Sequence, residues 1–122
     1  MKKTILLSLL LIILAACAGA AAGDPAQTVE SYLQAKADGD AATIQQLLCS
    51  EMESVLEREA RAFESVSGVH IEGMACTDDG EGKVSCAGKI VATYGTEDTE
   101  FPLTAYRVVQ EDGEWKWCGE SS

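Results

Sequence analysis

Positive charge is scarce in this chain of 122 residues: nine lysines and arginines stand against twenty acids, for a formal charge of −11. Such a surface repels nucleic acid and anionic lipid headgroups alike, so neither is an expected partner. Histidine occurs once, at His70, and no Cys-x-x-Cys is present, which leaves no spaced zinc set; no metal or cofactor is expected. A Ser/His/Asp triad has only His70 to draw on, and no glycine-rich phosphate loop occurs. Proline appears twice, at Pro25 and Pro102. The one long apolar run, Ile5 to Ala16, falls short of the ~20 residues needed to cross a bilayer.

That run follows Met1-Lys2-Lys3 and ends in Leu14-Ala15-Ala16-Cys17. A positive start, an apolar centre and small residues before a cut make an export leader. The tetrapeptide resembles a bacterial lipobox, whose cysteine receives a diacylglycerol before cleavage in front of it. Residues 1–16 are then a lipoprotein signal peptide, 17–23 a lipidated flexible tether, and 24–122 the folded domain. A retained membrane helix and an ordinary leader cut after Ala20 or Ala22 are the alternatives. Lipidation at Cys17 implies an extracytoplasmic domain with membrane lipid as its partner, and Ala18 after the cysteine permits outer-membrane delivery if the organism has one. Loss of the leader removes Lys2 and Lys3 and no acid, so the formal charge moves from −11 to −13.

With Cys17 assigned to lipid, Cys49, Cys76, Cys86 and Cys118 remain, an even count suited to disulfides in an oxidising compartment. Four cysteines allow three connectivities, and spacing alone does not choose. A hairpin reading does: a three-residue loop Gly80-Glu81-Gly82 pairs Asp79 with Lys83 and sets Cys76 opposite Cys86. Cys49 is left for Cys118, a link between the second helix and the last strand.

The helices are announced by their ends. Asp24-Pro25-Ala26-Gln27 places an acid at the N-cap and proline at the first helical position, and Gly39 supplies a stop. Val29, Tyr32, Leu33 and Ala37 share one face. Asp40 caps a second helix that turns Ala41, Ile44, Leu47 and Leu48 inward. Ser50-Glu51-Met52-Glu53 reads as a capping box opening a third, whose stripe is Met52, Val55, Leu56, Glu59 or Ala60, and Phe63.

After Gly68 the period changes to two. Four strands are expected, near Val69–Thr77, Lys83–Tyr94, Glu100–Gln110 and Glu114–Cys118, with Gly73 as a bulge. Asp112-Gly113 is a hairpin signal that sets Gln110 opposite Trp115, Val108 opposite Trp117 and Arg107 opposite Cys118. The expected architecture is α+β, three N-terminal helices packed on a curved four-stranded antiparallel sheet.

The segment from Val29 to Ala41, with Leu47-Leu48 after it and Tyr106 to Trp117 at the end, resembles the nuclear transport factor 2-like superfamily, a cone-shaped cystatin-like fold. More narrowly it is similar to small bacterial lipoproteins of unknown function that carry it. The resemblance implies two functions. One is a non-catalytic module that binds a small apolar ligand or an envelope protein, with a homodimer through the sheet face as an option. The other is a small lyase or isomerase of the ketosteroid isomerase-like or polyketide cyclase-like type, which needs a carboxylate and a proton donor inside the cone. Tyr32, Leu56, Phe63, Trp115 and Trp117 are the pocket candidates. His70 and Glu72 share a strand face and read as a solvated pair, and Asp78-Asp79-Gly80-Glu81 as a charged turn without calcium-loop spacing. The two functions differ in one observation: an open cavity holding ionisable groups, or a cone filled by Met52, Leu56, Phe63 and the tryptophans.

Overall fold

A computed structural model describes residues 23–122. The expected signal peptide, the expected lipidation site Cys17, and the expected tether as far as Ala22 lie outside the described residues. Among those described, no helix is long and apolar enough to cross a membrane.

Helix α1 spans Pro25–Asp38. Its start and stop are local chemistry: the Asp24 carboxylate accepts from the N–H of Ala26 at 2.9 Å, and Gly39 takes a left-handed φ of 68°. Val29, Tyr32, Leu33 and Ala37 are buried, as their spacing requires. α2 follows as Ala41–Leu47, capped by Asp40 on the N–H of Thr43. It buries Ile44 and then Leu48 just beyond its end, while Ala41 is exposed.

The expected third helix is divided. Ser50–Val55 forms a 3-10 helix, and only Leu56–Ala60 is α-helical (α3). The capping box does not form. Instead the Glu111 carboxylate, from across the domain, accepts from both the N–H and the hydroxyl of Ser50, at 3.0 Å each.

Five antiparallel strands follow: β1 Ser67–Gly80, β2 Lys83–Tyr94, β3 Glu97–Pro102, β4 Ala105–Glu111 and β5 Glu114–Glu120. The order is β1-β2-β4-β5, with β3 pairing the far half of β2. The expected third strand is thus two, and the count of four becomes five. β2 is the cause. Lys89 pairs Pro102 and Ser85 pairs Ala105, so three residues of β2 oppose two of the other chain segment, a bulge at Gly88. β1 answers with an extra residue between Glu72 and Ala75, at Gly73, whose φ is 62°. The two bulges face each other and bend the sheet around α1. Gly88, with φ of 99°, allows the contact, since a Cβ there would meet Gly73 backbone at 2.7 Å.

The hairpin of β1 and β2 turns on two residues, Glu81 and Gly82, both at positive φ, rather than three. A further irregularity between Asp78 and Gly80 takes up the difference, and Cys76 pairs Cys86. At the other hairpin Gln110 faces Trp115 and Val108 faces Trp117, but a shift between Tyr106 and Val108 removes Arg107 from its expected place opposite Cys118. Among the described residues two disulfides are present. Cys76–Cys86 crosses the hairpin, and Cys49–Cys118 fastens the end of α2 to β5 across 69 positions.

Candidate functional site

Tyr32 and Lys36 lie four residues apart on α1, one above the other on the same face. Packing α3 across that face brings Glu59 to both. The Tyr32 hydroxyl donates to Glu59 Oε1 at 2.6 Å, and Lys36 Nζ lies 3.3 Å from Oε2. Glu59 is only 6% exposed, and a buried carboxylate must be paired or it costs several kcal/mol. Burial first, and then the hydrogen bond and the charge of Glu59, push the Tyr32 phenol far above the ordinary tyrosine range. Tyr32 is held as a proton donor to the carboxylate and does not ionise.

Trp117 stacks on Tyr32, with ring centroids 3.9 Å apart and planes 9° from parallel, and Tyr106 tilts against Trp117 at 6.2 Å. Trp117 is buried, and its Nε1–H finds no acceptor. Leaving such a donor unmatched costs about 1–3 kcal/mol.

Beside this group a cavity of about 310 Å³ opens within the cone. Leu33, Ile90, Tyr106 and Trp117 line its apolar interior, with Lys36, Arg58, Glu59 and Glu120 as the charged members of the wall. Phe63 and Phe101 also line it, meeting edge to face at 5.7 Å, and Phe101 is one of the large apolar side chains left exposed. The volume sits at the lower end of the range for small-molecule sites, and the lining has their composition: mostly apolar with a few polar groups.

The cavity has ionisable groups in its wall, while Tyr32, Tyr106 and Trp117 are packed and buried. Of the five pocket candidates, only Phe63 and Trp117 line this cavity. Tyr32 lies behind it, with its hydroxyl spent on Glu59. Leu56 lines a separate groove with Ala37 and Ala60, near the turn from α1 to α2, and Phe63 borders both spaces. Trp115 borders a hollow at the opposite end of α1, with Gly23, Leu47 and Lys116. Lys36 and Arg58 were absent from the sequence-based candidates, and Glu59 entered only as an ambiguous core position. A Tyr-x-x-x-Lys face on α1 and an acid on an apolar stripe were the available signals.

His70 and Glu72 lie on the outer face of the sheet, away from the cavity. His70 Nε2 is 3.0 Å from Glu72, and Lys89 bridges Glu72 and Glu100. This face of the sheet carries a charge lattice. Among the described residues, one cluster has metal-ligand spacing, Cys49, Glu51 and Cys118, but its two sulfurs are bonded to each other. Arg107 lies there too, 2.7 Å from Glu51 and 3.2 Å from Cys118 Sγ.

This arrangement of three helices on a bent sheet around a cavity defines the nuclear transport factor 2-like fold. An NTF2-like protein of unknown function in nutrient uptake from Rhodospirillum rubrum has a similar structure, with a TM-score of 0.51 and 19% identity, covering 80% of this chain and 96% of that one. A second solved structure, Rd1NTF2_05, is similar at a TM-score of 0.46 and 10% identity, over 77% of this chain and 92% of that one. No family model matches the chain. No curated protein matches it either.

Proposed function

We propose that the protein is an extracytoplasmic lipoprotein, anchored through acylated Cys17, whose domain binds a small apolar ligand in the cone cavity without transforming it. The observation that carries the ligand reading is the 310 Å³ cavity with an aromatic and aliphatic wall. The two disulfides suit an oxidising compartment, and the lipobox-like Leu14-Ala15-Ala16-Cys17 supports anchoring through Cys17. The geometry is compatible with both. Lys36 lies about 16 Å along α1 from Pro25, so a tether leaving the start of the helix holds the domain with its cavity toward the far end.

A second reading, a small lyase or isomerase, is supported by one observation, the buried Glu59 carboxylate in the cavity wall. Its oxygens are already engaged by Tyr32 and Lys36, which favours binding over proton abstraction. Native mass spectrometry of the full-length protein taken from its host membranes tests the proposal. It predicts an acyl mass on Cys17 and a retained small molecule. An intact leader would defeat the anchor, and conversion of the retained molecule by the wild type but not by Glu59→Gln would replace binding with catalysis.

A further inference from the structure

Seven lysines and arginines fall among the described residues, and five have a carboxylate within ion-pair distance: Lys36, Arg61, Lys89, Arg107 and Lys116. Lys83 and Arg58 do not. In a chain with twenty acids an arginine without one is the exception, and Arg58 lies in the wall of the cone cavity. Its sequence neighbour Glu59 does not neutralise it, being committed to Tyr32 and Lys36. The same wall contains Trp117, whose buried Nε1–H has no acceptor. Only the indole N–H is buried without an acceptor; the Arg58 guanidinium is exposed at the cavity wall and has no carboxylate within ion-pair distance.

Resting on the ligand-binding reading above, we infer that the cavity selects an apolar molecule carrying a single carboxylate, with Arg58 receiving the carboxylate and Phe63, Phe101 and Ile90 receiving the body. A guanidinium is planar and presents paired N–H groups that match the two oxygens of a carboxylate, which a lysine ammonium does not. Glu120, also in the wall and without an ion pair, sets the upper limit on charge. It opposes phosphates and dicarboxylates by like-charge repulsion, as does the acidic surface as a whole. The selected class is then a monocarboxylic acid with an aryl or alkyl tail, sized to a small cavity.

Calorimetric titration of the full-length protein in lipid nanodiscs with three probes of one shape, phenylbutanoate, phenylbutanol and phenylbutylamine, tests this. The acid is expected to bind roughly ten-fold more tightly than the alcohol, the gain of a charge-assisted hydrogen bond, and the amine more weakly than either. Arg58→Gln should remove that advantage, so that acid and alcohol bind alike. The Arg58 side chain is exposed and holds no ion pair, so a thermal melt of this variant should match the wild type. Equal binding of acid and alcohol, preference for the amine, or an undiminished acid affinity in Arg58→Gln would overturn the carboxylate selection while leaving a binding cavity. Failure of all three probes to bind would instead remove the ligand-binding reading on which it rests.

Discussion

The hydroxyl of Tyr32 donates a 2.6 Å hydrogen bond to the carboxylate of Glu59, joining α1 to α3 across 27 positions of chain. It is the shortest link in a buried set that also includes Lys36, and it decides where α3 lies and hence the shape of the cavity wall.

Tyr32→Phe keeps the ring on Trp117 and removes only this bond. Glu59 is then left buried with Lys36 alone. The expected loss is about 2 kcal/mol, or roughly 10 °C in Tm for a domain of this size. An unchanged melting curve would mean that Lys36 suffices for the carboxylate.

The pair His70 and Glu72 gives stability a pH window. The Gly68 carbonyl on Nδ1, then Glu72 on Nε2, raise the His70 pKa above its ordinary 6.5, because both ring nitrogens must carry protons to donate. His70 itself leads the causes that lower Glu72 below 4.5, followed among the favourable ones by Lys89. A raised histidine contributes fully below its unfolded pKa and loses its contribution as pH rises through the folded value. A lowered glutamate contributes above its unfolded pKa and loses it as pH falls through the folded value. The pair therefore acts between about pH 4.5 and 6.5. Both groups are exposed, so the measurement is spectroscopic. An NMR titration of the His70 ring should show a pKa that falls toward 6.5 in Glu72→Gln, and no movement would mean that the Gly68 carbonyl alone sets it.

The two disulfides should differ in weight. In the chain-entropy account, Cys49–Cys118, closing 69 positions, contributes about 4.5 kcal/mol, and Cys76–Cys86, closing 10, contributes about 2.5 kcal/mol. Cys49→Ser should also free Cys118 for mispairing. Thermal melts of Cys49→Ser/Cys118→Ser and Cys76→Ser/Cys86→Ser test the order, and peptide mapping tests the pairing. An equal loss for both double variants would show that loop length is not the controlling quantity.

Gly88→Ala should be costly although it adds one methyl. The new carbon would meet the Gly73 backbone and the Glu72 carbonyl at 2.7 Å, at a φ of 99° that side chains rarely adopt. The expected loss is about 3 kcal/mol. Gly113→Ala, at positive φ but with nothing within 4 Å, is the control and should cost about 1 kcal/mol. Similar melts for the two would place the cost in backbone strain alone.

Features that depend on neighbours in the chain were legible. Asp24, Pro25 and Gly39 set the ends of α1 because capping involves groups within a few residues. Cys76 faces Cys86 because a hairpin's register is decided near its turn; the turn has two residues where three were expected, and an irregularity at Asp79 restores the pairing. Where distant groups compete, local spacing misleads. Ser50 looked like a cap, but its N–H is taken by Glu111, 61 positions away. The strand expected across Glu100–Gln110 broke after Pro102 because its partner strand bulges at Gly88.

The site is the larger case of the same rule. Legible in the sequence were an amphipathic first helix, a period-two second half, the four cysteines of the described domain and an N-terminal apolar run from which export was expected. Each of these is written in local spacing. That Lys36, Arg58, Glu59 and Trp117 border one cavity could be decided only by packing, because they come from α1, α3 and β5 and no pattern in any one element points to the others. A buried carboxylate is tolerable only once the fold has brought its donors to it, so Glu59 read alone is an anomaly on an apolar stripe and becomes intelligible beside Tyr32 and Lys36.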